Sequence, residues 1–319
     1  MSKRLRMTGS RMARRRRGTP VHGWVILDKP VDVTSTQAVA TVRRVFDAAK
    51  AGHAGTLDPL ATGVLPVALG EATKTVPYVM DATKDYAFSI RWGEATSTDD
   101  AEGDVVATSE VRPTVDEIRA ALDRFVGEIE QVPPRFSAIK VDGERAYDLA
   151  RSGEDVALEP RLIEILALDL IDVPGPDEAR FRVTSGKGAY MRSLARDLAE
   201  ALGTVGHIRD LRRLRVGPFD EKRAISLDSL TALMHNPASR EHLWPVETAL
   251  DGIPALALRG PEATTLRNGQ GVPVYRSVDR DRFGDLREGD LVYATDGAVP
   301  VAIARIESGA IRPVRVLNL

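Results

Sequence analysis

A single aspartate, Asp58, stands in a stretch of unusual composition, GHAGTLDPLATGVLP at residues 52–66. Its glycines permit close approach of the backbone to another molecule, and its prolines restrict the conformation of the loop. A carboxylate is ionised at neutral pH and can act as a nucleophile, a general base, a metal ligand or a helix cap. Capping is the ordinary role of a Thr-x-Asp-Pro segment, but a rigid loop that presents one carboxylate favours a preorganised nucleophile.

An ionised carboxylate in a pocket that excludes water needs a positive charge beside it, and Arg192 is the best candidate. It lies in SGKGAYMRSLARDL, in the first turn of a predicted helix, where the helix dipole disfavours a cation. This local cost indicates a use elsewhere, and an ordinary surface arginine remains the alternative. Gly186 and Gly188 flank Lys187 in the same segment, but the spacing of a nucleotide-triphosphate loop is absent.

Two tyrosines, a histidine and a lysine complete the candidate set. Tyr86 lies in the predicted strand KDYAFSIRW, and Tyr190 begins the predicted helix that carries Arg192. Aromatic rings near basic residues can stack on an unstacked base, although core packing is the default role of a tyrosine. His53 is interpreted as a donor that stabilises the loop, and Lys29 as a solvated lysine.

The composition excludes several classes of site. The chain has 319 residues, of which 43% are hydrophobic and 28% charged, as in a protein with a sizeable core. It has no cysteine, so disulfides, thiolate nucleophiles and cysteine metal sites are excluded. Five scattered histidines do not form a zinc-binding pattern, and no apolar run has the length of a membrane span. We therefore expect a soluble, cytoplasmic protein without a metal.

The net charge of -2 hides an asymmetry between the N-terminus and the rest of the chain. Residues 1–17 contain eight of the 44 Lys and Arg residues and no acid, which leaves 36 basic against 46 acidic residues elsewhere. Such a segment cannot bury apolar surface, so we predict a disordered arm over residues 1–19. Its charge suits a phosphate backbone, and a solubilising tail or an expression tag is the alternative reading.

The elements that must position these residues follow from periodicity and capping. GWVILDKP at 23–30 predicts a buried strand, and residues 52–66 predict a loop that leads into an apolar run. Two helices are predicted to begin at capping boxes, one formed by Thr34 with Gln37 and the other by Thr114 with Glu117. Apolar alternation in KDYAFSIRW predicts a half-buried strand, and the prolines of QVPPRFSAIKVDG at 131–143 predict a rigid connector.

The second half of the chain continues the mixed pattern. Strands are predicted at 161–172 and 179–184, followed by an amphipathic helix at 190–202 with Gly203 as its stop. Strands and helices interleave without regular alternation, which favours an α+β fold with a mixed, largely antiparallel sheet and flanking helices. Short strand-like pieces after residue 250 predict a small β-rich domain at 251–319, so the central domain spans 20–250.

Several segments together resemble the bacterial tRNA pseudouridine synthases of the TruB family. They are GWVILDKPVDVTS, GHAGTLDPLATGVLPVALGEATK, KDYAFSIRWGEATSTDDAEG, QVPPRFSAIKVDGERAYDLAR, SGKGAYMRSLARDLAEALG and HIRDLRRLRVGPF. They cover about two thirds of the chain, from residue 20 to residue 220. The segment 251–319 resembles a PUA-type RNA-binding domain more loosely. The chain departs from the family in its basic extension and in VTSGKGAY, where the family more often has a cysteine.

The resemblance implies a role for each candidate residue. Asp58 matches the catalytic aspartate, Arg192 the arginine that pairs with it, and Tyr86 the tyrosine that stacks on the target base. Four further residues match positions that support the site or line the pocket: Lys29, His53, Tyr190 and Leu211. The implied fold is the pseudouridine synthase fold, and the implied partner is the tRNA T stem-loop, bound by a monomer without an obligate protein partner.

The implied reaction isomerises uridine 55 of the T loop to pseudouridine, on a base flipped out of its stack. Because no atom is gained and no redox change occurs, we expect no cofactor. Asp58 would attack C1′ of the ribose or C6 of the uracil, or assist elimination to a glycal, and the sequence leaves these routes open. Alternative functions are a non-catalytic RNA-binding protein, a guide-RNA-dependent pseudouridylase and a phosphate-binding enzyme built on SGKG.

Overall fold

The computed structural model describes residues 18–137, 140–141, 144–145, 158–274, 284 and 286–319. Residues 1–17 of the basic arm predicted over residues 1–19, and part of the connector predicted at 131–143, lie outside the described residues. The strands, in chain order, are β1 (Gly23–Lys29), β2 (Ala51–His53), β3 (Thr62–Leu69), β4 (Lys84–Trp92), β5 (Glu94–Thr96), β6 (Val105–Thr108), β7 (Gly127–Gln131), β8 (Lys140–Val141), β9 (Glu144–Arg145), β10 (Arg161–Gly175), β11 (Glu178–Ser185), β12 (Gly206–Val216), β13 (Phe219–Asp220), β14 (Ile225–Ser226), β15 (Ala255–Ala257), β16 (Val272–Pro273), β17 (Leu291–Asp296), β18 (Val299–Glu307) and β19 (Ala310–Val316). The α-helices are α1 (Ser35–Val45), α2 (Val76–Asp81), α3 (Val115–Leu122), α4 (Met191–Ala201), α5 (Leu227–Ala232) and α6 (Gly260–Arg267).

A ten-stranded sheet forms the centre of the molecule. Its strand order is β14-β1-β3-β12-β4-β11-β10-β7, with β2 paired to β3 and β13 paired to β12. Within this sheet, only the pairs β1–β14 and β3–β12 are parallel among the described strands. The sheet is therefore mixed and largely antiparallel, which confirms the predicted α+β fold class.

Helices cover one face of this sheet. The apolar faces of α1, α3 and α4 share one core with Phe88, Ile90 and Trp92 of β4. These three residues alternate along the strand, as its sequence predicts, because successive side chains point to opposite faces. The opposite face carries ion pairs, among them Arg212 with Asp28.

The predicted helix boundaries follow the capping residues closely. Thr34 caps α1 and Thr114 caps α3, each in the capping box expected from its sequence. Helix α4 begins one residue after the predicted start and ends one residue before the predicted end. Gly203 follows with φ of +71°, a conformation that favours glycine and stops a helix.

The glycine-rich stretch is shorter as a loop than its sequence predicts. Residues 52–53 belong to β2 and residues 62–66 to β3, so the connecting loop covers only residues 54–61. Pro66 is tolerated inside β3 because it lies between the part of this strand that pairs with β12 and the part that pairs with β2. The strand predicted at 161–172 is confirmed and extends to Gly175.

The C-terminal part of the chain forms a second sheet with the order β15-β17-β18-β19-β16. Its strands pack on α6 in a separate apolar core. The sequence analysis missed α6, because GPEATTLR has a proline near its start and a weak apolar stripe. The chain then returns to the main sheet, where Leu317 is buried beside Trp24 and Ala72.

Candidate active site

Asp58 lies in the loop that joins β2 to β3. Ser35, the first residue of α1, fixes Leu57, the residue before Asp58. The Ser35 hydroxyl donates to the Leu57 carbonyl and accepts from the Leu57 N–H, both at 2.8 Å. The Asp58 carbonyl accepts a turn hydrogen bond from the N–H of Ala61 at 3.1 Å. The backbone of the aspartate is therefore held on both sides, as a preorganised group requires.

Lys29 holds the same loop through hydrogen bonds to its backbone. Its side chain is fully buried at the end of β1, and its ammonium donates to the carbonyls of Pro30, Val33 and Pro59 at 2.8, 2.6 and 3.1 Å. The interpretation of Lys29 as a solvated lysine is therefore wrong. Burial lowers its pKa to about 8, while the negative charge of Asp58 opposes this shift. Lys29 thus positions the residue after Asp58 and adds positive charge near the carboxylate.

Arg192 projects from the first turn of α4 and pairs with Asp58. One guanidinium nitrogen lies 2.9 Å from the Asp58 carboxylate, and Arg192 also donates to the carbonyls of Thr98 and Phe136 at 3.0 and 2.9 Å. The Arg192 side chain is 6% exposed, whereas that of Asp58 is 37% exposed. The cation is therefore fixed in the protein and the carboxylate keeps one side open.

A second carboxylate, which the sequence analysis did not single out, completes the environment of Arg192. Asp100 is buried, and its carboxylate lies 3.6 Å from the Nε atom of Arg192. Its other oxygen accepts hydrogen bonds from the Thr98 hydroxyl and the Glu102 N–H at 2.5 and 3.0 Å. The two carboxylates together compensate the burial of the Arg192 charge. A single ion pair with the half-exposed Asp58 would not do so.

A cavity of about 560 Å³ opens beside Asp58. Five of the seven predicted site residues line it: Asp58, Tyr86, Tyr190, Arg192 and Leu211. They come from the β2–β3 loop, β4, the start of α4 and β12, so separate parts of the chain build one pocket. Carboxylate, aromatic and apolar groups face a space large enough for a nucleotide.

Tyr190 is held in this pocket through its backbone. The Gln131 side chain accepts from the Tyr190 N–H at 2.8 Å and donates to its carbonyl at 3.2 Å. Burial raises the pKa of the Tyr190 phenol, and the negative charge of Asp58 raises it further. The phenol therefore stays protonated at neutral pH and can donate a hydrogen bond into the cavity.

Comparison with known sequences decides the family. The sequence model described as "TruB family pseudouridylate synthase (N terminal domain)" matches residues 43–191, and "tRNA pseudouridylate synthase B C-terminal domain" matches residues 192–251. The chain belongs to the TruB family. It is 56% identical over 308 residues to tRNA pseudouridine synthase B of Rhodospirillum rubrum, covering 97% of this chain and 100% of that protein. The protein of the same name from Caulobacter vibrioides is 52% identical over 309 residues, with the same coverage.

Solved structures agree with the TruB assignment at the level of the fold. The chain matches "Crystal Structure of a Cbf5-Nop10-Gar1 Complex" with a TM-score of 0.69 and 27% identity, over 92% of this chain and 84% of that one. It also matches "Structure of H/ACA RNP bound to a substrate RNA containing 2'-deoxyuridine" with a TM-score of 0.71 and 23% identity, over 96% and 92%. The pseudouridine synthase fold predicted from the sequence is therefore confirmed.

The remaining predicted residue of the TruB set, His53, lies in β2 and does not line the cavity. Burial and the positive charge of Arg213 lower its pKa. Its Nδ1 atom is buried and has no hydrogen-bond partner among the described residues. The ring is therefore neutral at pH 7, and its role towards flipped-out nucleotides stays a prediction.

Besides Arg192, the cavity of this TruB-family chain is lined by four basic residues among those described, Lys84, Arg161, Lys187 and Arg213. Lys187, from the SGKG segment, is exposed and forms an ion pair with Asp81 at 3.1 Å. Lys84 is buried at the start of β4, donates to the carbonyls of Met80 and Ala82 at 2.7 and 2.6 Å, and has its pKa lowered to about 8 by burial. Lys84 and Lys187 both contribute to the cavity wall.

The described residues contain no group of three His, Asp or Glu side chains that could hold a metal ion. Within the same ranges no helix is both long and apolar enough to cross a bilayer.

Proposed function

We propose that the protein converts uridine 55 in the T loop of tRNA to pseudouridine, with Asp58 as the nucleophile. The observation that carries this proposal is the 2.9 Å pair of Asp58 and Arg192 at the wall of the cavity. The substrate class comes from the relatives, whose name is tRNA pseudouridine synthase B. The Asp58 carboxylate is oriented by the fixed Arg192 guanidinium, and its side chain is 37% exposed at the cavity where a base can enter.

The residues divide the work of the reaction. Asp58 attacks C1′ or C6, or assists glycal formation, and Arg192 stabilises its negative charge as charge moves to the uracil. Tyr86 stacks on the base, while Tyr190 and Leu211 complete the wall around it. Lys29 fixes the loop through Pro59, which keeps the carboxylate within attacking distance.

The overall change needs no added group. The N1–C1′ bond breaks, the uracil turns, C5 bonds to C1′, C5 loses one proton and N1 gains one. Every atom of the product is present in the substrate, so we propose a reaction without a cofactor. Base flipping costs a few kcal/mol, which stacking in the cavity offsets.

Recognition of the T stem-loop is proposed to rest on its shape, because proteins read RNA mainly through folded form and unstacked bases. We assign residues 20–250 to the catalytic domain and 251–319 to a PUA-like RNA-binding domain. The sheet of this second domain has its own core, and Lys74 donates to the Val316 carbonyl at 2.7 Å, which ties its last strand to the 3-10 helix Gly70–Lys74 after β3. We further propose that the protein acts in the cytoplasm as a monomer.

The position of the modified nucleotide tests the proposal. Unmodified tRNA is incubated with the protein in EDTA, and pseudouridine is mapped by carbodiimide labelling and primer extension. The proposal predicts one new stop, at position 55, which disappears when U55 is replaced by cytidine. A stop elsewhere would refute the specificity, and loss of activity in EDTA would refute the metal-free reaction. Tight tRNA binding without any stop would favour the non-catalytic RNA-binding function.

A further inference from the structure

Arg213 occupies the centre of the main sheet, directly beneath the candidate active site. Its side chain is 1% exposed, although it carries a charge. On β12 it pairs with Tyr86 of β4 on one side and with Gly63 of β3 on the other. A guanidinium at this position can reach both the catalytic loop and the phenol of Tyr86.

The contacts of Arg213 connect these two parts of the site. Its Nε donates to the Val64 carbonyl at 2.8 Å, and its terminal nitrogens donate to the carbonyls of Gly55 and Thr56 at 3.0 and 3.4 Å. Tyr86 lies directly opposite Arg213 in the register of β4 and β12, so both side chains lie on the same face of the sheet, and both line the cavity. Because a guanidinium only donates hydrogen bonds, it can stabilise the Tyr86 oxygen only as an acceptor, and most strongly as a phenolate.

The charge of Arg213 has no carboxylate ion pair among the described residues. Burial lowers its pKa, and the groups that oppose this shift are Tyr86 first and Asp58 after it. A buried cation without an ion pair is costly, so a structural anchor for three carbonyls would be served as well by a neutral donor. The positive charge itself therefore calls for a function.

We propose that Arg213 is a positioning residue that fixes the Tyr86 oxygen relative to Asp58 and stabilises its phenolate form, which is the form that takes the proton from C5. This inference rests on the proposed function. The C5–H electron pair becomes the C5=C6 bond, the C6=N1 pair moves to N1, and the proton passes to the phenolate oxygen of Tyr86. N1 takes a proton from water, and Tyr86 returns its proton to water, so atoms and charges balance.

The backbone of residue 55 is adapted to this guanidinium. Gly55 has φ of +99°, and a Cβ atom there would lie 3.3 Å from a terminal nitrogen of Arg213. The loop thus leaves space on the side of Arg213, three residues before Asp58. Movement of Arg213 would be transmitted to both groups that contact the substrate.

The test uses R213Q and R213K in the full-length protein, with single-turnover tritium release from [5-³H]uridine-labelled tRNA over pH 6–9.5. We expect R213Q to lower the rate about 100-fold at pH 7, with tRNA affinity within about threefold of wild type. The pH of half-maximal rate should move upward by about one unit. R213K keeps the charge, so its rate should stay within about tenfold of wild type and its pH profile should not move.

Two backgrounds make the result specific to Tyr86. In Y86F, R213Q should lower the remaining rate by less than about threefold, because the oxygen that it serves is absent. The control is R212Q, on the next residue of β12, whose side chain pairs with Asp28 and Glu221 on the opposite face and should leave the rate unchanged.

An equal loss in the wild-type and Y86F backgrounds, with an unchanged pH profile, would overturn the proposal and leave Arg213 as an anchor of residues 55–56. If R213Q does not fold, R213K in the two backgrounds decides in the same way: a loss only when Tyr86 is present supports the proposal, and an equal loss refutes it. Absence of tritium release from the wild-type protein would instead refute the proposed function.

Discussion

Replacement of Lys29 by methionine separates the energetic cost of this buried cation from its role in the site. The pKa of Lys29 falls from 10.5 to about 8 through burial. At about 1.4 kcal/mol per pH unit, this displacement lowers the free energy of unfolding at pH 7 by about 3 kcal/mol. The three hydrogen bonds of its ammonium contribute about 1–1.5 kcal/mol each. The two effects nearly cancel, so K29M should change the free energy of unfolding by less than about 2 kcal/mol.

The lowered pKa of Lys29 also determines whether the free energy of unfolding rises or falls with pH. Between pH 8 and 10.5 the unfolded chain holds the Lys29 proton and the folded chain has released it, so the unfolded state binds more protons. The free energy of unfolding therefore rises with pH in this window, and K29M should reduce that slope by about 1.4 kcal/mol per pH unit. Urea unfolding followed by tryptophan fluorescence at pH 7, 8.5 and 9.5 measures it, with K50M at the exposed Lys50 as the control.

The rate should respond more strongly than the stability. Without Lys29 the Pro59 carbonyl loses its donor, so the Asp58 loop is less well fixed and the single-turnover rate should fall by about 10- to 100-fold. A loss of more than about 4 kcal/mol, or an unchanged pH slope, would refute the energetic reasoning. An unchanged rate would refute the assignment of Lys29 as a residue that positions the loop.

Three further predictions concern the loop, the histidine and the C-terminus. G55A should destabilise the fold by about 1–2 kcal/mol and slow the reaction, because φ is +99° at this position. In G52A the added Cβ atom would meet no atom within 4 Å, so this variant should keep the stability of wild type, and urea unfolding measures both. Because the pKa of His53 is lowered, stability should rise with pH from that lowered pKa up to 6.5, and H53Q should flatten this slope in thermal melts at pH 5–7. Deletion of residues 317–319 removes the buried Leu317 and should cost about 2–4 kcal/mol by the same unfolding assay; a loss below 1 kcal/mol would contradict its place in the core.

The pair of Asp58 and Arg192 could be predicted from the sequence because each residue is out of place locally. A carboxylate among glycines and a cation at a helix start both lack a local reason, and the two charges compensate each other. The structure joins them at 2.9 Å across 134 positions of the chain. The capping boxes were equally predictable, because their contacts lie within one turn.

The support of the site could not be predicted in this way. Ser35 and Lys29 act on the carbonyls of Leu57 and Pro59, and only the fold shows which carbonyls lie beside them. Arg213 was hidden in an arginine-rich strand, where register shifts at residues 208–210 and 213–215 interrupt the alternation that marks inward-facing residues. Burial of a charged side chain has no signal in local spacing.

Lys187 is a case in which a local motif indicated a site that the structure does not support. Glycines around a lysine suggested a phosphate loop, but the residue is exposed and paired with Asp81. A short motif defines a backbone shape only when the surrounding strand and helix have the required geometry. Lys187 lines the cavity beside Asp58, and the role of SGKG as a separate nucleotide site has no support from its contacts.

The central claim is that Asp58 is the nucleophile, and tritium release from [5-³H]uridine-labelled tRNA under single-turnover conditions tests it most directly. Wild-type protein, D58N and the control D116N, at an exposed aspartate in the first turn of α3, are compared with no added metal or cofactor. The account predicts one equivalent of tritium per tRNA from wild type and D116N, and none from D58N, which should still bind tRNA. Release by D58N at a rate near that of wild type would contradict the account.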